Sequence, residues 1–159
     1  MGVIKRFEDL VAWQEARKLS QAIRALCRQG ALAKDYALCD QLRRASASAM
    51  TNIAEGFDNE SRAEFGRFLT IARRSVVEVQ SLLYTALDDG LIDESTFRHH
   101  YNMAGRTKSI IHNLRRSLNM NTKRIAESPA TYATIDTPDT IDTIDTPDTT
   151  DTNDTHDTT

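Results

Sequence analysis

The chain has 159 residues, 27% of them charged and 40% hydrophobic, with a mean hydropathy of -0.49. That is the size and polarity of one water-facing domain with an appendage, and no run approaches the ~18 apolar residues a membrane span requires. The net charge of -3 hides a split: residues 1–124 hold all 20 Lys and Arg against 14 acids, whereas residues 125–159 hold nine acids and no base.

The opening Met1-Gly2-Val3-Ile4-Lys5-Arg6 reaches charge at once, so no secretory leader is expected, and Arg6 departs from the myristoylation pattern. Apolar spacing then predicts a first helix from near Asp9, as N-cap, to Gln29, with Trp13, Ala16, Leu19, Ile23 and Leu26 inward and Gly30 as its stop. A second is expected from about Asp35 to Glu55, with Leu38, Leu42, Ala45, Ala49 and Ile53 on one face and Gly56 ending it. Cys27 and Cys39 stand twelve residues apart without a C-x-x-C, which suits packed, reduced thiols in the cytoplasm.

Ser61-Arg62-Ala63-Glu64 reads as a capping box opening a third helix that buries Phe65, Phe68, Leu69, Ala72, Val76, Val79, Leu83 and Ala86 and stops near Gly90. A fourth is expected from near Asp93 to about Leu118, with Met103, Ala104, Thr107, Ile110, Ile111, Leu114 and Leu118 inward. No Pro precedes Pro129, and no alternating strand pattern competes. The expected fold is therefore an all-α, antiparallel up-down-up-down four-helix bundle over residues 1–124. From Ala133 onward the chain collapses to Thr and Asp, with aspartates every third residue from Asp136 to Asp157. So little apolar area cannot offset chain entropy, and residues 125–159 are expected to be a disordered acidic tail.

Catalytic motifs are missing: there is no Glu-x-x-His pair for a di-metal bundle, no Walker loop and no G-x-S-x-G. His99, His100 and His112 are spaced as surface or bundle-edge histidines, so neither metal nor cofactor is expected. A polar row, Gln41, Ser48, Asn52 and Glu55 on the second helix with Ser75 and Glu78 on the third, borders the core stripes. It reads as a hydrogen-bonded seam between helices or subunits; the competing enzyme reading makes Glu55 a base and Asn52 a donor. Ala47 and Ala54, with Met50 nearby, suit either a plain helix surface or a subunit contact.

Arginines come in pairs, Arg43-Arg44, Arg73-Arg74 and Arg115-Arg116, one pair on each of helices two, three and four and expected at different heights. On the fourth helix Tyr101, Gly105, Lys108, His112 and Arg115 recur at heptad-like spacing. Lys5, Arg6, Arg62, Arg115, Arg116, Lys123 and Arg124 gather toward one bundle end, and such a surface suits phosphate backbones.

Three stretches carry a resemblance. They are Phe7-x-Asp9-Leu10-x-x-Trp13-Gln14-x-Ala16, then Tyr36-x-Leu38-x-x-Gln41-Leu42-Arg43-Arg44-Ala45-x-x-Ser48-x-x-x-Asn52-Ile53-Ala54-Glu55-Gly56, then Ser61-x-x-Glu64-Phe65-x-x-Phe68-Leu69-x-Ile71-Ala72-x-x-Ser75-x-x-Glu78. Over residues 7–118 the chain resembles the four-helix-bundle proteins encoded in intervening sequences of 23S ribosomal RNA genes, the S23 family. That family is similar in fold to the accessory variability determinant proteins of diversity-generating retroelements. The resemblance implies a homo-oligomer, a pentamer by the retroelement analogy, and a basic surface for RNA or DNA, with a reverse transcriptase as the analogous protein partner. It implies no catalytic activity.

The expected function is a non-enzymatic nucleic-acid-binding accessory protein. Arg43, Arg44, Arg73, Arg74, Lys108, Arg115, Arg116, Lys123 and Arg124 would meet the phosphates. The alternative is a protein-interaction scaffold whose charge is incidental. The acidic tail, tethered to the basic end, is expected to compete with an anionic ligand. Truncation after Arg124 should therefore tighten nucleic-acid binding at low salt in a fluorescence anisotropy titration, and unchanged affinity contradicts the competition.

Overall fold

The computed structural model describes residues 4–59 and 61–126, with side chains as far as Leu118. The expected tail beyond residue 126 and the side chains of Lys123 and Arg124 lie outside the described residues. Four α-helices follow one another: α1 Val11–Leu26, α2 Tyr36–Phe57, α3 Arg62–Asp88 and α4 Glu94–Ala126. Each packs on its chain neighbours and α4 returns onto α1, so the apolar stripes meet in one core. Leu19, Ile23, Leu42, Ile53, Leu69, Leu83 and Ile111 are fully buried there. No strand occurs among the described residues.

Several expected boundaries move, each for a local reason. Asp9 is not the cap of α1. It closes a 3-10 turn, Phe7–Asp9, and the extended, buried Leu10 precedes the helix without a side-chain cap. Phe7 instead packs edge-on against Trp13 at 5.1 Å, which holds the entering chain and leaves Trp13 half-buried. Helix α1 ends at Leu26, three residues earlier than expected, because the chain tightens through Cys27 before Gly30 takes φ +56°. Asp35 does cap α2, accepting from Leu38 N at 2.9 Å.

Ser61 accepts from Glu64 N at 3.4 Å, but the Glu64 carboxylate turns to Arg67 rather than completing the box. Asp93 accepts from Thr96 N at 2.7 Å at the start of α4. Before it, Gly90 (φ +66°) ends α3 in a Schellman arrangement, with Leu91 N donating to Ala86 O and Gly90 N to Leu87 O. Helix α4 continues eight residues past the expected end at Leu118 and crosses the expected domain limit at 124.

Gly56 is the most instructive correction. It is not a helix stop, since α2 runs through it to Phe57. It is buried where α2 meets α3, and a Cβ there would stand 2.6 Å from the Phe68 Cβ and 2.9 Å from the Phe65 ring. Ala45, Ala49 and Ala72 are also buried, so small side chains let these two helices approach closely. Cys27 and Cys39 are free and buried, packing α1's end against α2, with Cys39 Sγ donating to Leu32 O at 3.2 Å. Burial, assisted by Cys39, pushes the Cys27 thiol up to about 12.

Gly56→Ala should lower the unfolding free energy by about 1–3 kcal/mol in urea titrations, because the added methyl overpacks the contact. Gly66→Ala, with nothing within 4 Å of its Cβ, should instead gain up to about 1 kcal/mol from helix propensity. Equal effects at the two glycines contradict the close approach.

Candidate nucleic-acid interface

Helix periodicity decides which side chains face the α3–α4 seam. On α3, Arg62, Gly66, Arg73, Val77, Gln80 and Tyr84 fall within an arc of about 60°. On α4, Tyr101, Gly105, Lys108, His112 and Arg115 fall within about 80°. Contacts across the seam show that the two arcs face one another in antiparallel sense. Tyr84 meets Phe97 at 4.7 Å and Tyr101 at 5.5 Å between ring centres. Lys108 Nζ donates to Gln80 Oε1 at 2.9 Å, and Gln80 Nε2 makes a long 3.5 Å contact with Tyr101 O.

Two clefts open along this seam. The larger, about 710 Å³, is rimmed by Arg62, Arg67, Arg74 and Arg115, with Gly66 and Thr70 between them. Among the described residues Arg67 alone of the four arginines has an ion-pair partner, Glu64 at 2.9 Å. The smaller, about 390 Å³, is lined by Arg73, Lys108, Ser109, His112 and Asn113. Arg73 Nε is buried and has no hydrogen-bond partner. A buried N–H without an acceptor carries a cost that a ligand oxygen reaching it would offset.

The expected binding residues therefore divide. Arg74 and Arg115 share one cleft and Arg73 and Lys108 the other, so side chains from the arginine pairs of α3 and α4 reach a common cleft. Arg116 is exposed and lines neither cleft. Arg43 is committed elsewhere, donating to Cys27 O at 3.0 Å, where the carbonyl end of α1 favours a cation. Arg44 pairs with Asp40 at 3.4 Å on α2, which packs on α1 and α3. Arg67 is an addition to the expected residues. Its i+7 relation to Arg74, two turns along one face, is the signal for it in the sequence.

The polar row also divides. Ser48 Oγ and Ser75 Oγ lie 2.9 Å apart across α2 and α3. Asn52 Nδ2 donates to Ser48 O at 2.8 Å and Ser48 Oγ at 3.1 Å, and Ser75 Oγ donates to Ile71 O at 3.1 Å. Gln41, Glu55 and Glu78 are exposed. Asn52 thus points into the seam while Glu55 meets solvent.

His100 Nδ1 sits 2.8 Å from Thr96 O, and burial, with His99 beside it, holds its pKa below the ordinary value. Among the described residues no three His, Cys, Asp or Glu side chains gather as a metal-ligand set, and no helix is long and apolar enough to cross a membrane.

Residues 8–113 match the family described as the 23S rRNA-intervening sequence protein. The chain belongs to that family. Four solved chains match it. One is the crystal structure of a protein with unknown function from the S23 ribosomal protein family of Bacteroides thetaiotaomicron VPI-5482. It is 18% identical, with a TM-score of 0.61 over 66% of this chain and 98% of that one. At that identity the likeness supports the fold alone. No curated protein matches the chain.

Arg73→Met keeps the aliphatic packing while removing the unpaired donor. It should raise stability by about 1 kcal/mol in urea titrations. A loss of stability would mean that the guanidinium is a structural member of the bundle.

Proposed function

We propose that this member of the 23S rRNA-intervening sequence protein family is a non-enzymatic nucleic-acid-binding accessory protein of the cytoplasm that grips the phosphate backbone along α3 and α4. The observation that carries the reading is the cleft rimmed by Arg62, Arg67, Arg74 and Arg115, of which Arg67 alone has an ion-pair partner, Glu64, among the described residues. Like charges held together repel, and a polyanion relieves the repulsion while releasing its own counterions. The neighbouring cleft adds Arg73, Lys108 and His112 along the same pair of helices. The contacts are to phosphate, so the surface positions a strand without reading much of its sequence. The family's description names 23S rRNA, which makes RNA the first ligand to test.

The protein acts as a homo-oligomer in this reading. Exposed Gln41, Glu55 and Glu78 flank the Ser48–Ser75 bond and form a polar border suited to a second copy. A pentamer and a reverse-transcriptase partner follow only from the fold analogy.

Binding of the full chain to structured RNA should weaken with salt on a log–log line. Arg74→Gln and Arg115→Gln should each reduce the slope by about 0.7–0.9 for every phosphate they leave unneutralised. Arg44→Gln should leave it unchanged. Absence of binding at low salt contradicts the reading and turns attention to a protein partner.

A further inference from the structure

We propose that the α3–α4 groove takes a single strand, with one base stacked on Tyr84; the inference rests on the nucleic-acid reading above and adds the class of ligand to it. Tyr84 is 48% exposed, although it is among the larger apolar surfaces the chain could bury. Its ring does not swing free. Phe97, itself buried, flanks it at 4.7 Å, and Tyr101 meets it edge-on at 5.5 Å. Nearly half of a braced aromatic side chain is therefore available to solvent, and an exposed ring held in place is what a stacking platform requires.

Its position completes the argument. Tyr84 lies on the same arc of α3 as Arg62 and Arg73, about 16 Å beyond Arg73 by helix rise, the span of a few nucleotides. Between them the seam carries exposed Val77 and the Lys108–Gln80 hydrogen bond. Gly66 and Gly105 add no side chain to the groove, and a Cβ at Gly105 would reach only Gln80 Nε2 at 3.8 Å. Cations thus occupy one end of the α3–α4 seam and an exposed aromatic ring the other, the pairing by which single strands are held: phosphates on the basic side, bases on the ring. Beyond Tyr84 the seam carries no unpaired arginine among the described residues. Asp88 ends α3 there, and on α4 Glu94 is paired with Arg98 at 2.8 Å. A duplex keeps its base faces stacked inside and reaches the cations alone.

The test uses the full chain, with a fluorescent oligoadenylate RNA and its duplex with oligouridylate as probes. Tyr84→Ala should weaken oligoadenylate binding about tenfold, in the range for loss of one base–aromatic stack. The duplex affinity and both salt slopes should stay unchanged, and Tyr84→Phe should bind as the parent does. The inference is overturned if Tyr84→Ala binds oligoadenylate normally or weakens both probes equally. It is also overturned if the substitution changes the sedimenting mass, which would make Tyr84 a contact between copies. If the parent binds neither probe at low salt, the nucleic-acid reading itself fails.

Discussion

At Gly56 the helices α2 and α3 come so close that even a methyl group would collide with Phe68, and this contact governs what α3 can present elsewhere. The buried alanines 45, 49 and 72 keep the approach tight, and the Ser48–Ser75 hydrogen bond fixes its register. A helix pinned on one side has no rotational freedom left. Once Phe65, Leu69, Val76 and Leu83 are buried, the arc containing Arg62, Arg73 and Tyr84 must look toward α4. The chemistry of the groove is thus a consequence of packing on the opposite flank of the same helix.

The groove itself is an electrostatic compromise. Three of its four arginines stand without an ion pair among the described residues, and Arg73 holds a buried donor with nothing to bond. Neither arrangement favours the free protein, whose stability is a small difference between large terms. By contrast, Arg43 has a structural partner: its guanidinium closes the end of α1 through Cys27 O. Two similar arginine motifs therefore have different physics, one structural and one open to a ligand.

Much of this is legible in the sequence. Apolar periodicity marks four helices, their inward faces and both left-handed glycines, because burial on a 3.6-residue period leaves a strong signal. The short caps are less legible. Asp9 has the spacing of an N-cap, but Phe7 stacking on Trp13 pulls it into a 3-10 turn, a tertiary preference invisible in local spacing. Gly56 resembles a stop because Gly commonly ends helices; only the neighbouring helix reveals that it is there for its missing side chain. The polar row is half legible, since Ser48, Asn52 and Ser75 are near enough to bond whereas Gln41, Glu55 and Glu78 share the row but face outward. Joining Arg74 to Arg115 requires the relative height of two helices, which no single helix encodes.

The central claim is that nucleic acid lies along α3 and α4 rather than on the arginines of α2. Photo-cross-linking of the full chain to a 4-thiouridine RNA, with the adducts located by mass spectrometry, tests it most directly. Adducts within 62–84 of α3 and 101–115 of α4 are the predicted result. Adducts concentrated around Arg43 and Arg44 would contradict it.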